Sequence, residues 1–181
     1  NDECGVCDGD NSTCLDECGV INGLGYDCGG DCNENVELWD MCYNIQETLS
    51  INITDYELSG EIPSEIGNLI NLTDLVLRNN GLTGEIPIEI GNLINLQNLE
   101  ICSNEIIGYI PIEIGNLINL EYLNLSLNQL SGSIPDEIGN LVNLRHLNFY
   151  HNNLTGQIPY QIDDDLINLI ELDLSVNQLS G

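Results

Sequence analysis

Residues 72–95 read LTDLVLRNNGLTGEIPIEIGNLIN, and residues 96–119 answer them as LQNLEICSNEIIGYIPIEIGNLIN. The shared frame, Leu-x-x-Leu-x-Leu-x-x-Asn-x-Leu-x-Gly-x-Ile-Pro-x-x-Ile-Gly-Asn-Leu-x-Asn with some Ile for Leu, is 24 residues long and restarts at Leu120 and Leu144. One extra residue within Ile162-Asp163-Asp164-Asp165-Leu166 delays the next start to Leu169. Read backwards, a degenerate copy begins at Thr48, with Tyr56 where the others carry Asn. The frame therefore occupies residues 48–181 in copies starting at 48, 72, 96, 120, 144 and 169, the last one truncated.

Each slot has a physical reason to recur. In Leu99-Glu100-Ile101 and Leu123-Asn124-Leu125, period-two alternation turns the apolar residues inward, which predicts a short parallel strand per copy, stacked about 4.8 Å apart. Asn80, Asn104, Asn128, Asn152 and Asn177 fall where the chain leaves the strand; their amides are expected to satisfy backbone groups of their own and the neighbouring turn. Gly84, Gly108, Gly132 and Gly156 permit left-handed or closely approaching backbone. The Ile-Pro pair after them is expected to end any helix while Ile enters the core. One copy cannot bury its apolar face, but a stack can.

With these slots in place, residues 48–181 resemble leucine-rich repeats of the 24-residue plant type, found in receptor ectodomains, polygalacturonase-inhibiting proteins and bacterial secreted proteins. The resemblance implies an α/β solenoid: a right-handed superhelix with a concave parallel sheet, a second short strand near Leu-x-Gly, and 3₁₀ turns on the convex side. It also implies a binding role toward protein, peptide or glycan, without choosing among them.

Residues 1–34 follow another logic, with Cys4, Cys7, Cys14, Cys18, Cys28 and Cys32 among acids and glycines and almost no apolar surface. Such a segment needs disulfides or metal to hold it, and dense cysteine implies an oxidising compartment, hence secretion or a cell surface. Asp2-Glu3-Cys4-Gly5-Val6-Cys7 looks like arrays that precede repeat modules in secreted proteins of aquatic bacteria. Disulfides of unknown pairing are the first reading of these cysteines and Cys42; zinc is a poor fit to the spacings. Asp8 and Asp10 alternate carboxylates as a calcium loop begins, which makes calcium the one cofactor candidate, although the segment lacks a complete EF-hand pattern. Residues 35–47, with the only Trp, Trp39, read as a cap over the open end of the solenoid. The chain does not begin with Met, so it is expected to be a processed or excised piece.

Composition excludes several partners. Thirty Asp and Glu face only Arg78 and Arg145, for a formal charge of −28. Phosphate backbones and anionic lipid surfaces are repelled, and no apolar run is long enough to span a bilayer. Glu65, Glu89, Glu113 and Glu137 recur every 24 residues and are expected to line the convex face, where salt or a divalent cation relieves their repulsion.

The register places Tyr122, His146 and Glu171 side by side on the outward strand face, and Asn124, Asn148 and Asp173 in the next column. Cys102, Val76 and Ser126 also count as outward. The candidate ligand-binding patch is Tyr122, His146, Asn148, Tyr150, His151 and Asp173, because aromatic rings among polar groups suit protein and sugar contacts. No nucleophile, base and oxyanion site come together, so an enzyme is not expected. The expected function is an extracellular adhesion or binding module for a protein or glycan. An acidic spacer, stiffened by calcium, and an inhibitor of a secreted hydrolase are the alternatives.

Overall fold

The computed structural model describes residues 35–180. Strands β1 (Asn35–Leu38) and β2 (Met41–Asn44) form an antiparallel hairpin through Trp39 and Asp40, both at positive φ. The hairpin packs on the first coil: Val36 and Leu38 are buried in the repeat core, and the Trp39 indole N–H donates to the carbonyl of Glu61 at 3.1 Å. Cys42 is disulfide-bonded. The other cysteines read as disulfides lie outside the described residues, as do Asp8 and Asp10.

Past the hairpin, each copy contributes one coil. The concave strands are β3 (Ser50–Asn52), β5 (Asp74–Val76), β7 (Asn98–Glu100), β8 (Tyr122–Asn124), β10 (His146–Asn148) and β12 (Glu171–Asp173). All pair in parallel in one six-stranded sheet. A second ladder runs through β4 (Ser59–Glu61) and β6 (Gly81–Thr83), then β9 (Ser131–Gly132), β11 (Asn153–Gln157) and β13 (Gln178–Ser180). Between these two pieces the backbone bonds continue, from Glu105 N–H to Leu82 and from Ile107 N–H to Gly84, both 2.8 Å.

The convex side is built from 3₁₀ turns at Ser64–Asn68, Ile88–Asn92, Ile112–Asn116 and Asp136–Asn140. Here the structure corrects the role assigned to proline. Pro63, Pro87, Pro111 and Pro135 sit at the N-cap and open each turn. Their fixed φ suits a first helical position, and the missing N–H is one the turn would have left unpaired. The extra residue near Asp163–Asp165 converts the next turn into a short α-helix, α1 (Gln161–Asp164).

Inside, the Leu and Ile slots form one continuous core: Leu72, Leu75, Leu77, Leu82, Ile90 and Leu93 are fully buried, as are their counterparts one copy on. Each such side chain contributes about 1.5–3 kcal/mol. Close stacking on the convex side requires Gly67, Gly91 and Gly115. A Cβ on Gly115 would lie 2.6 Å from the carbonyl oxygen of Glu137.

Two asparagine ladders staple coil to coil. Asn104 donates from Nδ2 to the carbonyls of Leu77, Ile101 and Cys102, and its Oδ1 accepts the N–H of Leu82. Asn128 repeats the pattern. Half of each set serves the preceding copy, which explains Tyr56. With only the β1–β2 hairpin before it among the described residues, the first coil needs no amide of its own there, and Asn80 Oδ1 takes the N–H groups of Tyr56 and Leu58. The second ladder was not foreseen: Asn71, Asn95, Asn119, Asn143 and Asn168 each donate to a carbonyl one coil back, at 2.8–3.0 Å.

Candidate functional site

The concave sheet carries the candidate patch on β8, β10 and β12. His146 pairs with Tyr122 on one side and Glu171 on the other, and Asn148 with Asn124 and Asp173, as the register requires. The Tyr122 and His146 rings lie 5.3 Å apart and tilted by 38°, and His146 Nδ1 is 3.0 Å from Glu171 Oε2. The Tyr150 and His151 rings are 5.7 Å apart. Four of the six patch residues, Tyr122, His146, Tyr150 and His151, are thus joined to a neighbour by ring contact or ion pair, and Asn148 and Asp173 are register partners on adjacent strands.

Asn148 and Asp173 have a further local task. Asn148 Oδ1 accepts the N–H of Tyr150 at 2.9 Å. Asp173 Oδ1 accepts both the N–H and the hydroxyl of Ser175, as Asn124 does from Ser126. This column pins the turn that follows each strand. The two bonds from Ser175 hold the Asp173 carboxyl below its ordinary pKa, since they favour the charged form. Burial, then the charge of Glu100, raises the Tyr122 phenol above its ordinary value, so it acts as a neutral hydroxyl.

His151 does not lie on the strand. It occupies the turn at φ 55°, the slot that Asn79, Ser103, Leu127 and Val176 also fill at φ 54–57°. Left-handed backbone costs a bulky residue about 1–2 kcal/mol. The stacked turn bonds, such as Leu127 N–H to Tyr150 and His151 N–H to Ser175, hold it there.

Cys102, Val76, Ser126 and Asn124 correct the outward list, because all four are buried despite their strand parity. Parity decides the face; the side chains of adjacent coils, packed a strand spacing away, decide exposure. Cys102, a free thiol 9% exposed, has its pKa raised by burial and then by Glu100, with Arg78 opposing. It is therefore a poor partner for a second chain's cysteine. Nearby, Asn98 Oδ1 is buried without a hydrogen-bond partner.

The convex glutamates Glu65, Glu89, Glu113 and Glu137 open successive 3₁₀ turns as expected. Among the described residues, no group of three or more His, Cys, Asp or Glu is placed to hold a metal ion. One shallow groove of about 790 Å³ lies on the convex side, lined by Ile94, Ile118, Val142, Asn116 and Asn140. It marks a second surface that the sequence reading passed over. Ile70, Ile94, Ile118, Val142 and Ile167 form a row of apolar side chains 45–82% exposed, one per coil.

The coils, both ladders and the convex turns now account for the whole repeat frame, and a family model described as a leucine-rich repeat region matches residues 33–180. The chain belongs to the leucine-rich repeat proteins. Among solved structures, it is similar to the ectodomain of the receptor kinase GASSHO1/SCHENGEN3 from Arabidopsis thaliana in complex with CASPARIAN STRIP INTEGRITY FACTOR 2, at 44% identity and TM-score 0.72. That match covers 74% of this chain and 16% of that one. It is similar also to the Arabidopsis receptor kinase HAESA ectodomain in complex with an IDA peptide hormone ligand, at 40% identity and TM-score 0.71, covering 74% of this chain and 22% of that one. A plant ice-binding protein matches at 32% identity and TM-score 0.68, over 84% of this chain and 49% of that one. This leucine-rich repeat chain spans from about a sixth to a half of these solved chains. No curated protein sequence matches it. Among its described residues, no helix is long and apolar enough to cross a membrane.

Proposed function

We propose that this chain is an extracellular binding module whose concave face, at the end formed by β8, β10 and β12, takes an extended peptide segment of a partner protein. The observation that carries the reading is the row Tyr122–His146–Glu171, a ring pair and a carboxylate at strand spacing on an open sheet. Rigid aromatic rings with a polar rim are the usual anchors of protein contacts. Similarity to ectodomains solved with peptide ligands supports it. Peptides selected from a display library on this chain should lose at least about tenfold in affinity with Tyr150→Ala/His151→Ala, equivalent to one or two anchors. Unchanged binding would overturn the reading.

A second reading belongs to the convex row. The residues closing the four 3₁₀ turns, Leu69, Leu93, Leu117 and Leu141, share φ of −80 or −81° and ψ of 56–58°. The Ile and Val that follow them therefore repeat like lattice points beside the tied Asn ladder. A periodic, rigid, uncharged strip matches a periodic solid, and similarity to a plant ice-binding protein supports ice as that solid. Thermal hysteresis abolished by Ile118→Lys would bear this out; no hysteresis in the unaltered chain would end it.

A further inference from the structure

The concave face is unbalanced in charge. Asp74, Glu100, Glu171 and Asp173 lie on its strands, and the one cation there, Arg78, is held by Glu100 at 3.5 Å. Arg145 sits 4.0 Å from Glu121, before its strand begins. The whole chain has no lysine and a formal charge of −28, so no distant group compensates. At the β10–β12 end, Glu171 keeps 70% of its side chain in solvent. Asp173 spends only Oδ1 on Ser175, and Oδ2 has no partner among the described residues. Beside these carboxylates stand the Tyr122–His146 and Tyr150–His151 ring pairs.

This combination has a chemical complement. A guanidinium stacks flat on an aromatic ring and offers planar N–H pairs to a carboxylate at its edge. We propose that the peptide ligand of the concave face is cationic, with arginine side chains seated over the ring pairs and bonded to Glu171 and Asp173. This inference rests on the concave-face reading given above. A field of this sign also speeds the approach of a cationic partner and turns away acidic ones.

The test uses a labelled peptide of repeated Gly-Ser-Arg and its twin with citrulline, which keeps the shape and removes the charge, at about 0.15 M ionic strength to screen distant charges. Binding is read by fluorescence anisotropy to the whole chain and to Glu171→Gln/Asp173→Asn. An Asn at 173 keeps the Ser175 bonds, as Asn124 and Asn148 do in the same column, so folding is preserved. Convex Glu113→Gln/Glu137→Gln changes the net charge equally and serves as the control. The expected result is a loss of about tenfold for citrulline and for the concave pair, and under about twofold for the convex pair. Equal losses for both pairs, equal binding of the two peptides, or no binding of the arginine peptide overturns the proposal. If both peptides bind alike and Tyr150→Ala/His151→Ala removes both, the concave reading stands and its cationic preference falls. If no concave substitution alters any peptide's binding, the concave reading falls as well.

Discussion

His146 Nδ1 meets Glu171 Oε2 at 3.0 Å across the junction of two coils, 25 residues apart in sequence. The contact exists because a solenoid turns sequence period into spatial neighbourhood, so a functional face is assembled by stacking alone. What stabilises the stack thereby positions the face.

Asn104 is the strongest case. Replacing it with Ala removes four bonds, leaves the buried Leu82 N–H unpaired and leaves the Leu77 carbonyl with the Asn80 amide alone. A loss of about 2–4 kcal/mol is expected in urea unfolding. Tyr56→Asn, at the slot that lacks a coil to serve, should change stability by no more than about 0.5 kcal/mol.

Gly115→Ala and Gly60→Ala should fail for different reasons. At 115 the new methyl meets the Glu137 backbone at 2.6 Å; at 60 nothing lies within 4 Å but φ is +85°. Each should cost about 1–3 kcal/mol. Asn, which tolerates left-handed backbone, should partly rescue position 60 and worsen position 115. Thermal melts of the four variants separate the two causes.

Ser175→Ala should raise the Asp173 pKa toward the ordinary carboxylate value, read by carbon NMR titration. Because the folded-state pKa is depressed, the Ser175 bonds contribute stability that is present above the ordinary carboxylate pKa. That contribution is lost as pH falls through the folded value. The variant should therefore differ from the parent chain in stability at neutral pH and converge with it in acid.

Cys102 should react slowly with a thiol reagent at neutral pH, since it is buried and its pKa is raised. Addition of urea should release it in step with unfolding. Fast labelling of the native chain would contradict the burial.

The register and the concave columns were legible in the sequence, because a 24-residue period with buried Leu and Ile admits one way of stacking. Other features were misread where a local rule met a neighbour in space. Alternation assigns Cys102, Val76 and Asn124 to the outer face, but cannot say that adjacent coils cover them. Proline was read as a stop, although before a short turn it acts as a start. The left-handed turn at His151 carries no residue signal, since Asn, Ser, Leu, His and Val all occupy it. The convex row was available: an apolar residue recurs between the buried Leu and the Asn of Leu69-Ile70-Asn71, Leu93-Ile94-Asn95 and Leu117-Ile118-Asn119.

The most direct test of the concave site is a map of backbone amide NMR shifts on adding a display-selected peptide. Shifts concentrated at Tyr122, His146, Asn148, Tyr150, His151 and Asp173 are the expected result. Shifts confined to the convex 3₁₀ turns or to the β11–β13 ladder would contradict the account.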